Sequence, residues 1–156
     1  MDSQKQKLKV DPIRSGTVID HIAAGKALLV AQILKLGDAA QPVMFGMNLP
    51  SNKTGRKDIL KIENRVLSEE EVNTVALISP EATFIVIEDY NIIKKSKVEL
   101  PKHFTDIVTC PNPNCVTNTE QNIRTVFNLV RREPATVRCH YCEKKYDVHD
   151  VQFRIR

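Results

Sequence analysis

No apolar run in this chain approaches the roughly 20 residues that a membrane-spanning helix needs. The first stretch, Met1 to Val10, is polar and charged and has nothing of a secretory signal, so the expected location is the cytoplasm. Aromatic side chains are scarce, at 5%, which leaves little for stacking nucleic-acid bases. A concentration of charge is lacking as well. The net charge is +4, but the residues up to Phe104 hold 15 basic and 13 acidic side chains and the remainder 8 and 6, with the signs interspersed. Nucleic-acid binders usually gather their charge into a patch or stripe. No internal repeat or low-complexity tract is visible, and no nucleophile is accompanied by a poised base, which argues against an independent enzyme. The 156 residues, 42% hydrophobic and 27% charged, have room for one globular domain or two small ones.

The four cysteines all lie near the C-terminus, in two pairs. Four residues separate Cys110 from Cys115, two separate Cys139 from Cys142, and 23 lie between the pairs. Short cysteine loops of this kind turn thiolates toward one ion, and four of them fill the tetrahedral shell of zinc. Pro111, Asn112, Pro113 and Asn114 are turn formers and make the first loop tight. With four thiolates no position is left for water, so the expected zinc is structural, one per chain. Two disulfides or four unrelated buried thiols are the competing readings; the first would need an oxidising compartment, and scattered core cysteines would seldom pair off this neatly. The segment from Pro101 to Arg156 is too short to bury a large core, and units of that size often depend on a metal for folding.

In chain order, Met1 to Lys9 reads as a polar arm. Thr17 to Ile22 is β-branched at four of six positions and reads as a strand, with Asp20 and His21 on opposite faces. Ala23 to Leu36 reads as a helix that Gly37 terminates. Pro42 to Leu49 and Arg56 to Asn64 alternate as strands, and the second puts Lys57, Ile59 and Lys61 on one face. Ser68 with Glu71 three residues on is a capping box, opening a short helix that must end before Pro80. Thr83 to Ile87 is a strand, Asp89-Tyr90-Asn91 a turn, Ile92-Ile93 the start of a further strand, and Lys94 to Pro101 a linker.

The fold class is therefore α+β. The order strand, helix, strand, strand, helix, strand predicts a ferredoxin-like βαββαβ N-terminal domain over residues 1–100. Residues 101–156 predict a small β-rich four-cysteine zinc domain, with strands at Ile107 to Thr109, Thr125 to Val130, Thr136 to Arg138 and Val151 to Ile155. The lysines at position 61 and at 94–97 suit a polyanion, although taken alone they read as solvated surface charge.

The segments Gly16 to Ile22, Gly46 to Ser51, Gly55 to Asn64, Cys110 to Cys115 and Cys139 to Glu143 occur in one order with matching spacing. Together the chain from about Val10 to Tyr146 resembles the regulatory chain of aspartate carbamoyltransferase. The resemblance implies a non-catalytic subunit of pyrimidine biosynthesis. Its N-terminal domain would bind CTP, ATP and UTP and form a homodimer, and its zinc domain would dock onto catalytic trimers. Feedback would then pass through a shift between quaternary states.

Carried over by position, Asp20 and His21 would meet the base and ribose, Lys61 the ribose and neighbouring phosphate, and Lys95 the triphosphate. Val10, Ile13, Ile87, Tyr90 and Ile92 would line the base pocket. Ile85 departs from the family pattern, which often has a polar amide there; isoleucine offers only its backbone. The alternative is a zinc-ribbon protein that binds nucleic acid, which predicts steep salt dependence. Neither DNA or RNA nor a membrane is expected as a partner.

Overall fold

The computed structural model describes residues 11–154; the arm Met1 to Lys9, Val10 and Ile155 lie outside the described residues. Strand β1 (Gly16–Ala23), helix α1 (Ala27–Ile33), β2 (Val43–Ser51), β3 (Gly55–Glu63), α2 (Glu69–Val75) and β4 (Thr83–Glu88) follow in the predicted order, with β5 (Asn91–Lys97) after them. They form an antiparallel sheet in the order β2-β3-β1-β4-β5. The first four strands have the ferredoxin-like arrangement, and β5 is added by a hairpin.

Alternation along the strands divides the sheet into two faces. Ile19, Ile22, Leu60, Ile62, Phe84 and Val86 pack with Val30, Val72 and Val75 of the helices. Each fully buried aliphatic side chain in this layer stabilises the fold by about 2 kcal/mol. On the opposite face a smaller cluster joins Ile13, Val18 and Ile85, with Met44, Ile59 and Ile87 packed against it. Gly16 (φ +138) is buried between β3 and β4, where a Cβ would run into the carbonyl oxygen of Ile62.

Four local expectations are corrected. Asp20 and His21 do not simply alternate, because the β1–β3 register shifts between Ile19 and Ile22 and His21 takes a left-handed backbone, φ 56. The bulge leaves His21 Nδ1 only 3.6 Å from Asp20 Oδ2. Helix α1 is shorter than Ala23 to Leu36. It starts after Gly25 (φ 84) and ends at Ile33 with Leu34 as its cap, and Lys35 takes the left-handed conformation in place of Gly37. A single 3-10 turn, Leu36–Asp38, then returns Leu36 to the core. Lys94 to Lys97 are strand residues, since backbone pairing with β4 holds this polar edge in the sheet; lysines also guard it against further pairing. Half of the capping box forms: Ser68 accepts from the Glu71 N–H at 3.2 Å, while the Glu71 carboxylate turns to Arg65.

Asp58 was not foreseen as a structural residue. It is fully buried opposite Ile22, where its carboxylate accepts from the N–H of Ala27 and the N–H of Asn48, both at 2.9 Å. One side chain thus ties the start of α1 to the irregular part of β2, where Asn48 has φ 56.

The C-terminal part contains β6 (His103–Thr105), β7 (Val108–Thr109), a four-residue helix α3 (Val116–Thr119), β8 (Val126–Arg132), β9 (Ala135–Cys139), β10 (Lys145–Asp147), a 3-10 turn (Val148–Asp150) and β11 (Gln152–Phe153). One sheet runs β10-β9-β8-β6, and β11 pairs with β7. The sequence pattern had not indicated β6, α3 or β10, which are too short to show periodicity. The core here is small: Phe104, Val108, Phe127, Val137 and Val148 surround the cysteines, and Leu77, just beyond α2, joins them.

Candidate functional site

Two groups of side chains stand out, one in each half. In the C-terminal half the backbone brings the cysteines together from separate turns. Cys110 follows β7, Cys115 caps α3, Cys139 ends β9 and Cys142 lies in the turn before β10. Their sulfurs all lie within 4.8 Å of one another, with Cys110–Cys142 and Cys115–Cys139 both at 3.7 Å. A zinc ion with Zn–S bonds of about 2.3 Å places its tetrahedral sulfurs about 3.8 Å apart, so the donor set fits the metal. No disulfide joins them.

Burial pushes the Cys110 thiol up to about 12, and that of Cys139 up as well. Burial also opposes ionisation of Cys142, but hydrogen bonds from the Lys144 backbone and the Asn112 side chain bring it down to about 7. Such raised thiols stay protonated until a cation displaces the protons, so metal binding here is coupled to proton release. The surroundings supply supports that sequence reasoning missed. The Thr117 hydroxyl donates to Cys115 Sγ at 3.2 Å, and Asn118 Nδ2 donates to the carbonyls of Cys110 and Asn112 at 2.8 and 2.7 Å. Threonine and asparagine just after a cysteine loop were the available signal. The four cysteines are suited to one structural zinc, and four thiolates would close its shell and leave no catalytic position.

The second group lies on the face of the five-stranded sheet opposite the helices. Cross-strand partners point to the same side, and the registers Met44↔Lys61, Lys61↔Val18, Val18↔Ile85 and Ile85↔Lys95 define one row across all five strands. Ile87↔Ile92 forms the next pair of that face, and Ile13 is buried against Val18 and Ile85. Asp20 and Lys61 project from β1 and β3 onto it. The structure therefore gathers Ile13, Asp20, Lys61, Ile87, Ile92 and Lys95, while Val10 lies outside the described residues. Ile85 is buried under this row, so its side chain serves as floor.

Tyr90 sits at the edge of this face, in the two-residue turn between β4 and β5. Asp89 (φ 47) and Tyr90 (φ 67) are both left-handed there, and the Tyr90 ring is largely exposed. The Arg14-Ser15 segment clasps the turn: Tyr90 N–H donates to the Arg14 carbonyl at 2.8 Å, and Arg14 Nε pairs with Asp89 at 3.3 Å.

Lys61 is nearly buried, and its Nζ donates to the Asp11 carbonyl at 2.8 Å. Burial lowers its pKa, while the charges of Asp11 and Asp20 work the other way. Asp20 is held from two sides, by Lys57 Nζ at 2.8 Å and by the His21 backbone N–H at 2.7 Å. Lys57 was missing from the predicted set, although alternation had placed it on the Lys61 side. Because of the bulge His21 belongs only partly to this face. Its ring also lines a cavity with Ala24, Pro80 and Val148, and its Nδ1 is buried with no hydrogen-bond partner among the described residues.

Comparison with known proteins finds one family along both halves of the chain. Residues 8–99 match the family described as aspartate carbamoyltransferase regulatory chain, allosteric domain, and residues 102–152 match its metal binding domain. The chain is 52% identical over 147 residues to the aspartate carbamoyltransferase regulatory chain of Pyrococcus abyssi, covering 93% of this chain and 96% of the relative. It is 45% identical over 148 residues to that of Methanosphaera stadtmanae (95% and 97% covered) and 49% identical over 140 residues to that of Methanococcus maripaludis (90% and 93%). The chain thus belongs to the family of aspartate carbamoyltransferase regulatory chains, the non-catalytic, allosteric chains of an enzyme of pyrimidine biosynthesis.

Proposed function

We propose that the open sheet face binds nucleoside triphosphates, with CTP, ATP and UTP as competing effectors. The observation that carries this reading is the row from Lys61 to Lys95, with apolar Val18 and Ile85 between the two cations and Asp20 beside them. The lysines suit the phosphates, Asp20 can accept from ribose hydroxyls, and Ile13, Ile87 and Ile92 offer apolar contact to a base. Tyr90, at the rim, adds an aromatic face, and His21 contacts the nucleotide from the bulge.

In this proposal residues 1–100 form the effector-binding domain and residues 101–156 the zinc domain that docks onto catalytic trimers. Two chains pair through their N-terminal domains and bridge two trimers. Nucleotide occupancy then biases the quaternary equilibrium of the assembly in the cytoplasm. Calorimetric titration of the zinc-loaded chain with CTP and ATP tests the site, with Lys95→Ala as control. Saturable, mutually competitive binding that the substitution weakens is the expected result. Absence of binding by either nucleotide would leave a metal-dependent assembly subunit without an effector site.

A further inference from the structure

Between the end of α2 and the turn at Val148–Asp150 lies a cavity of about 770 Å³, distinct from the open sheet face. Its size falls within the range of small-molecule sites. Leu29, Leu77, Ile78, Val148, Val151 and Phe153 give it apolar walls drawn from both halves of the chain. Lys26 and Arg56 stand at it with His21 and His149, against one carboxylate, Glu81. Among the described residues neither Lys26 nor Arg56 takes part in an ion pair, and both are exposed. His21 lines it as well, with its Nδ1 buried 3.6 Å from Asp20 Oδ2 rather than open to the lumen.

We propose that this cavity is a second ligand site, for an amphipathic organic anion: a carboxylate with an aliphatic or aromatic body. The apolar walls take the body, and Lys26 and Arg56 hold the charged head, whose excess positive surroundings exclude a cation and disfavour a neutral ligand. A ligand seated there touches both halves at once and shares His21 with the Asp20 corner of the sheet face. Its binding is therefore linked to whatever occupies that face, and by reciprocity each occupant changes the affinity for the other.

The chain has four histidines, which gives the test a built-in location. His21 and His149 line the cavity, while His103 and His140 do not. Imidazole NMR signals of the full, zinc-loaded chain are followed as decanoate is added. The expected result is a saturable movement of His21 and His149 together, with His103 and His140 unmoved. Decanol, which lacks the charge, should bind at least about tenfold more weakly, as should decanoate to a Lys26→Glu, Arg56→Glu double variant. Both substituted positions are exposed, and an unchanged melting temperature certifies the fold of the variant. Equal movement of all four histidines, no movement of His149, or equal affinity for decanol overturns the proposal. CTP is the final arm: linkage shifts the decanoate midpoint at His149 to a limit, whereas if rising CTP displaces decanoate without limit, the cavity belongs to the nucleotide and the idea of a separate site fails.

Discussion

Lys61 and Lys95 occupy the same cross-strand row on β3 and β5, with Val18 and Ile85 paired between them. Three strand spacings put their backbones about 14 Å apart. Long side chains reaching inward from that distance can close on one triphosphate, whereas neither alone neutralises it. Lys95→Ala should weaken CTP and ATP by about three- to tenfold, the modest effect of an exposed cation. Lys61→Met, which removes a nearly buried charge, should weaken them by more than about tenfold. Calorimetric isotherms superimposable on those of the unaltered chain would dismiss the row as the phosphate contact.

The same Lys61→Met change should stabilise the ligand-free chain. Burial lowers the Lys61 pKa from the ordinary 10.5, so the folded state holds this proton less tightly than the unfolded state does. Between the lowered value and 10.5 the unfolded chain binds more protons, and this group's contribution to stability rises with pH. Below that window the charge is a standing cost to folding. Urea unfolding at pH 7 should show a higher midpoint for Lys61→Met, and its stability should lack the alkaline rise. A lower midpoint with the rise retained contradicts the assignment of the cost to this lysine.

Removal of zinc should unfold the C-terminal half. Its apolar core is built around the cysteines themselves, with Phe104, Val108 and Phe127 packed among them. A strong chelator, or Cys142→Ser, should abolish the near-ultraviolet signal of that half and prevent association with catalytic trimers. Nucleotide binding should persist. Sedimentation of mixtures with catalytic trimers measures the first effect and calorimetry the second; undiminished co-sedimentation of Cys142→Ser would refute the metal's role in docking.

Asp58 predicts a large stability effect from a position that looks like surface charge. Its carboxylate accepts from two backbone donors in a fully buried site. Asp58→Ala leaves the N–H groups of Ala27 and Asn48 without this acceptor, at a cost of about 2–4 kcal/mol. Asp58→Asn retains one acceptor oxygen and should lose about half as much. Denaturant unfolding checks both, and a change below about 0.5 kcal/mol for alanine would show that water replaces the carboxylate.

What could be read from the sequence was what local chemistry encodes. Paired cysteine loops, alternation in Arg56 to Asn64 and Ser68 ahead of a helix each act over a few residues, and all three hold in the structure. What escaped depends on partners far along the chain. The bulge at Asp20-His21 needs β3 opposite it, and no pattern within Thr17 to Ile22 announces it. The lysines after Ile93 have no apolar alternation, so only pairing with β4 makes them a strand. Gly37 has the right chemistry for a helix stop, yet Lys35 takes the left-handed position because Leu36 must turn back into the core. For the open sheet face, alternation supplied Lys61 and the company of Lys57, while the proposed roles of Ile87, Ile92 and Lys95 rest on family likeness.

Leu77 belongs by sequence to the half that carries the sheet, yet it is buried among Phe104, Val108 and Cys115. Leu100 packs against both cores. The two halves are consequently not interchangeable cassettes. A hybrid made by grafting the metal-binding half of one relative onto the sheet of another would inherit a mismatched seam wherever these leucines and their neighbours differ in volume.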